Sequence, residues 1–180
     1  IQFMDDFKSN LFIKEVYVFT PKGEMKIFPT PNGGIKLVIE REMDWGNLKS
    51  ISDDAAEDFS QRFSLLMDED SMWDEIVEPE LKDQFSSQVK FVKKQVELAC
   101  ARSVDEFEDE LPEILITKEE AEFWYGALNQ ARLSFEAKFH KKIKALKETG
   151  KIDDEKMLRA ILRNQVYFDI QNEILEHAMD

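Results

Sequence analysis

Residues 117–149, TKEEAEFWYGALNQARLSFEAKFHKKIKALKET, decide how this chain folds. Thr117 followed three residues later by Glu120 is a capping-box signature, in which two side chains serve the free N–H groups of a helix start. Beyond it, Ala121, Trp124, Leu128, Ala131, Phe135, Phe139, Ile143 and Leu146 recur at spacings of three and four and fall on one stripe. A helix of about 30 residues with so long an apolar stripe must be covered by other helices.

Those helices are legible on either side. Gly150 ends the central helix, and Asp153 or Asp154 can cap a further one through Met157, Ile161, Val166, Ile170 and Ile174. Upstream, a helix from about Pro79, which suits the first helical position, to Ala101 carries Leu81, Phe85, Val89, Val92, Val96 and Ala99. From residue 53, with Ser52 or Asp53 as N-cap, Ala55, Phe59, Phe63 and Leu66 share a stripe that Asp68-Glu69-Asp70 interrupts. The start of the chain has a different period. Phe3 and Phe7 fit one helical turn, Val16–Thr20 and Met25–Phe28 read as strands about the turn Pro21-Lys22-Gly23-Glu24, and Asn32-Gly33 leads into Ile35–Ile39. The expected fold is mainly α: a four-helix bundle-like domain over 41–180 and a small N-terminal antiparallel β-meander within 1–40. Strands should be confined to about 14–40, with 14–28 paired to 34–40 to cover an exposed sheet edge.

The chain has 180 residues, 43% of them hydrophobic, which suits one domain with a core that needs neither disulfide nor metal. Its net charge of −14 argues against a nucleic-acid backbone as a general partner, since that binding is driven by excess Lys and Arg. The charge is segregated. Residues 53–83 hold 12 acids against 2 bases and 105–122 hold 9 against 1, whereas 132–163 have a net charge of +5. The pattern reads either as ordinary solvated faces, with acids favoured near helix N-termini, or as a dipolar molecule whose acidic side steers towards a basic protein partner. No apolar run approaches the length of a bilayer span, and the first residues lack the basic region of a signal peptide. The lone Cys100, in the apolar stretch 96–101, permits no internal disulfide, so a cytoplasmic, reducing compartment is expected. Ile1 in place of Met is consistent with a trimmed, fused or incomplete N-terminus.

Residues that carry chemistry are sparse. His140 and His177 each follow a Glu by four, Glu136 and Glu173, whereas di-iron helical bundles use Glu-x-x-His at a spacing of three. Gly33-Gly34 marks a hairpin and not a phosphate loop. Pairs such as Asp53-Asp54 and Glu119-Glu120 are lost among 38 acids. No catalytic, metal or cofactor-binding residue is assigned. Trp124 fits the core stripe, and Trp45 is a further large aromatic. Tyr125, one step off the stripe, should reach the surface, and Met72-Trp73 lie in an acidic stretch, so Met72, Trp73 and Tyr125 are the candidate interface residues.

Two stretches carry resemblances. Asn32-Gly33-Gly34-Ile35-Lys36-Leu37 and residues 116–133, ITKEEAEFWYGALNQARL, make 25–180 resemble an uncharacterised bacterial domain-of-unknown-function family, often encoded beside the gene of the ClpS adaptor. The lysine-rich stretch around 138–151 departs from that family, and the resemblance implies no activity. Residues 5–24, DDFKSNLFIKEVYVFTPKGE, make 5–28 resemble the first hairpin of the TGS domain of long RelA/SpoT-type alarmone synthetases. On that resemblance, 1–24 are an extension, fusion or graft ahead of Met25.

The functional expectation is a non-enzymatic cytoplasmic interaction or regulatory protein acting through an acidic surface, with no membrane or nucleic-acid partner. The alternatives are an immunity or inhibitor protein against a basic partner and a metal-carboxylate enzyme inside the bundle.

Overall fold

The structure, a computed structural model, describes residues 25–55, 78–105, 111–149 and 155–179. In chain order these form β1 (Lys26–Pro29), β2 (Ile35–Val38), α1 (Glu42–Ala55), α2 (Glu78–Asp105), β3 (Glu113–Ile116), α3 (Lys118–Thr149) and α4 (Glu155–His177). The four helices hold most of the described residues, and a small antiparallel sheet stands beside them, as the periodicities predict. The expected strand at 16–20, the stripe positions 59, 63 and 66, and Met72 and Trp73 lie outside the described residues.

The third strand departs from expectation. The sheet order is β1-β2-β3, and β3 comes from within the stretch read as helical, so strands are not confined to 14–40. Ile35 stands opposite Ile116, and Leu37 opposite Ile114. Alternation then turns Ile35, Leu37, Ile114 and Ile116 onto the helices and leaves Phe28 and Leu115 exposed on the other face. The pairing of β1 with β2 through the 30–34 turn is as expected. Chain separation hides β3: Leu37 and its partner Ile114 are 77 residues apart, with α1 and α2 among the described residues between them.

α3 is the organising element and touches α1, α2, α4 and β3. Trp124, Ala127, Leu128 and Ala131 on it are fully buried, in one core with the inner sheet residues, Trp45, Leu48 and Ile51 of α1, Val92 and Val96 of α2, and Tyr167, Ile170 and Ile174 of α4. A second, smaller cluster joins Ile143 to Met157 and Ile161, with Phe135 and Phe139 half-buried against it. α3 and α4 are therefore antiparallel. One end of the pair meets the sheet, and the other is a tip outside the main core.

α1 corrects a boundary. It begins at Glu42, so Ser52 and Asp53 sit inside the helix and cap nothing. The start is instead made by Asp44, whose buried carboxylate accepts the Arg41 N–H at 3.1 Å and pairs with the Arg41 guanidinium at 2.6 Å. This is the back-reaching half of a capping box without its Ser or Thr.

Candidate functional site

The sheet end is pinned by glycines. Gly33 and Gly34 have φ of +76° and +105°, left-handed values that turn the chain from β1 into β2. A Cβ on Gly34 would lie 2.4 Å from the carbonyl oxygen of Ile116. The bare backbone lets the Gly34 N–H donate to the carbonyl of His177 at 2.9 Å, which ties the last turn of α4 to the sheet. The start of α3 lies beside this turn. There Glu120 Oε2 accepts the Thr117 N–H at 3.2 Å, the capping box its sequence announces. Hydrogen bonds from the backbone N–H and the Thr117 hydroxyl hold the Glu119 carboxyl below its usual range.

This construction gathers acids at one end of the bundle. Lys26 neutralises Glu40 at 2.6 Å, and Lys36 neutralises Glu113 at 2.8 Å. Glu42 at the start of α1, Glu122 on the first turns of α3 and Glu176 on the last turn of α4 are exposed and form no ion pair among the described residues. Leu175 and Met179, both exposed, flank Glu176 with apolar surface.

Tyr125 is partly buried and keeps part of its surface exposed. Its ring is half-buried against the main core, and its carbonyl accepts from Gln171 Nε2 at 3.2 Å. Gln171 in turn accepts a hydrogen bond from Arg132 Nη1. The Arg132 guanidinium lies 4.8 Å from the Phe168 ring centre, and burial pushes its pKa down. Tyr125 thus belongs to a link between α3 and α4. A second link joins α1 to α4: Arg163 grips Asp54 through two bonds of 2.9 and 3.1 Å, and the Tyr167 hydroxyl lies 2.9 Å from the same carboxylate. Sequence reasoning passed over Arg132, Asp54, Arg163 and Tyr167, because their partners are far away in the chain.

The two histidines are not brought together. His140 is exposed near the tip, whereas His177 ends α4 at the sheet, half-buried and 3.4 Å from Glu173. Among the described residues no group of three or more His, Cys, Asp or Glu could hold a metal ion. Cys100 is half-buried against the core. No helix among the described residues is long and apolar enough to cross a membrane. No family model matches the chain, and neither a curated protein nor a solved structure matches it.

Proposed function

We propose that this is a non-enzymatic interaction or regulatory protein of the cytoplasm, which docks a basic protein partner on the acidic sheet end. One observation carries the reading. In a chain of net charge −14, Glu42, Glu122 and Glu176 come from three helices to one end and stand exposed, with no ion pair among the described residues. Charges so placed raise the rate of encounter with a basic surface and select against acidic ones. The half-buried links of Arg132 and of Asp54 with Arg163 serve the bundle itself and leave the end acids to a partner. The same surface also suits an inhibitor or immunity protein that covers a basic toxin or a nucleic-acid-binding site, and affinity separates the two roles.

Affinity capture from the native host tests this, with wild type and an E42Q/E122Q/E176Q variant as baits. The reading expects a basic partner on the wild type that is released by salt and largely lost from the variant. Equal capture by both baits would refute it. A partner held at nanomolar affinity or tighter would identify the inhibitor role.

A further inference from the structure

We infer that two copies of this chain pair antiparallel, with the basic α3–α4 tip of each resting on the acidic sheet end of the other. α3 has 32 residues, so at about 1.5 Å per residue it separates tip and sheet end by about 48 Å. Residues 136–149 and 155–162, at the tip, hold seven Lys or Arg against three acids, Arg163 being paired with Asp54. Residues 25–44, 113–122 and 173–179, at the sheet end, hold nine acids against four Lys or Arg. The two ends are thus +4 and −5. At physiological salt the Debye length is about 8 Å, so within one molecule neither end feels the other.

A second copy meets both at once. Lys138, Lys141 and Lys142 are exposed within one turn of α3, and Lys156 is exposed on the facing start of α4. Their long stems can lie on Leu175 and Met179 while the ammonium groups reach Glu176, Glu122 and Glu42. Because each copy carries both patches, antiparallel pairing forms two equivalent contacts about a two-fold axis and closes, whereas a single head-to-tail contact would propagate as a filament. The net charge sets an unusual salt response. At about 0.01 M the Debye length is about 30 Å, and each −14 molecule repels the other as a whole; at about 0.1 M it is about 10 Å, and only local, complementary patches interact. At about 1 M the attraction itself is screened.

The inference rests on the proposed role of the sheet end as a docking surface, and its test is separate. Sedimentation velocity of the full chain should show the largest dimer fraction near 0.1 M salt and a fall towards monomer at both lower and higher salt. K138E/K141E/K142E, with its helical circular dichroism compared with that of the wild type, should abolish the dimer. Mixing it with E42K/E122K/E176K should restore a dimer containing one of each. A wild type that is monomeric throughout overturns the pairing, as does a dimer that grows steadily to 1 M, survives tip reversal, or gives way to larger assemblies. A wild type that is monomeric throughout and still captures a basic partner refutes the pairing alone. A dimer whose partner capture ignores the E42Q/E122Q/E176Q change refutes the docking role alone.

Discussion

At the scale of single residues, the fold rests on a few positions where size or backbone shape is fixed. Trp124 is fully buried at the centre of α3, as its place on the apolar stripe predicts. Trp124→Ala should therefore destabilise the protein by about 3–5 kcal/mol, the usual loss for truncating a large core aromatic, as chemical denaturation would show. An unchanged midpoint would contradict the burial. Two glycines should respond in opposite senses to alanine. Gly34 has φ of +105° and a carbonyl 2.4 Å from any added Cβ, so Gly34→Ala should lower the melting temperature. Gly46 lies in α1 with open space where its Cβ would be, so Gly46→Ala should stabilise by about 0.5–1 kcal/mol. A matched loss at both sites would show that the turn geometry is not what distinguishes them.

At the scale of elements, the helices were legible in the sequence because each writes its own period. Leu128, Ala131, Ile161 and Ile170 fall on the expected stripes and are buried. Two elements were not legible. β3 has only four residues, its outward position is the apolar Leu115 so that no apolar–polar alternation shows in the sequence, and its pairing to β2 is set by distant chain. The start of α1 is hidden in the sequence because Gly46 and Asn47, poor helix formers, interrupt the stripe of Trp45, Leu48 and Ile51 that packs on α3. The links between helices leave no local signal either, and Tyr167 is the sharpest case. Burial, and then the Asp54 carboxylate, push its pKa well above the ordinary value of about 10. Below about pH 10 the phenol is protonated in both folded and unfolded chains, and its contribution is present in full. Above that pH the unfolded chain loses the proton first, so stability falls as pH rises towards the folded pKa. Tyr167→Phe should cost about 1–3 kcal/mol at neutral pH and flatten the fall of melting temperature above about pH 10. Equal alkaline slopes in the two proteins would show that the hydroxyl is not held as described.

At the scale of the whole molecule, topology converts a scattered charge pattern into two ends. The sequence shows that 132–163 are basic and that acids dominate elsewhere, but only the antiparallel run of α3 and α4 puts the basic stretch at a tip. Likewise, Glu42, Glu122 and Glu176 are unremarkable among 38 acids until β3 and the Gly34–His177 bond draw three helix ends to one sheet. The candidate interface residues Met72, Trp73 and Tyr125 are aromatics or neighbours of aromatics. Of these, Tyr125 is described, and it is half-buried against the main core. The most direct measurement is the affinity of the captured basic partner for wild type and for E42Q/E122Q/E176Q across a range of salt. The docking role predicts that wild-type affinity falls steeply as salt rises, while the variant binds roughly tenfold or more weakly at low salt and with a much flatter dependence. Coincident curves for the two proteins would contradict it.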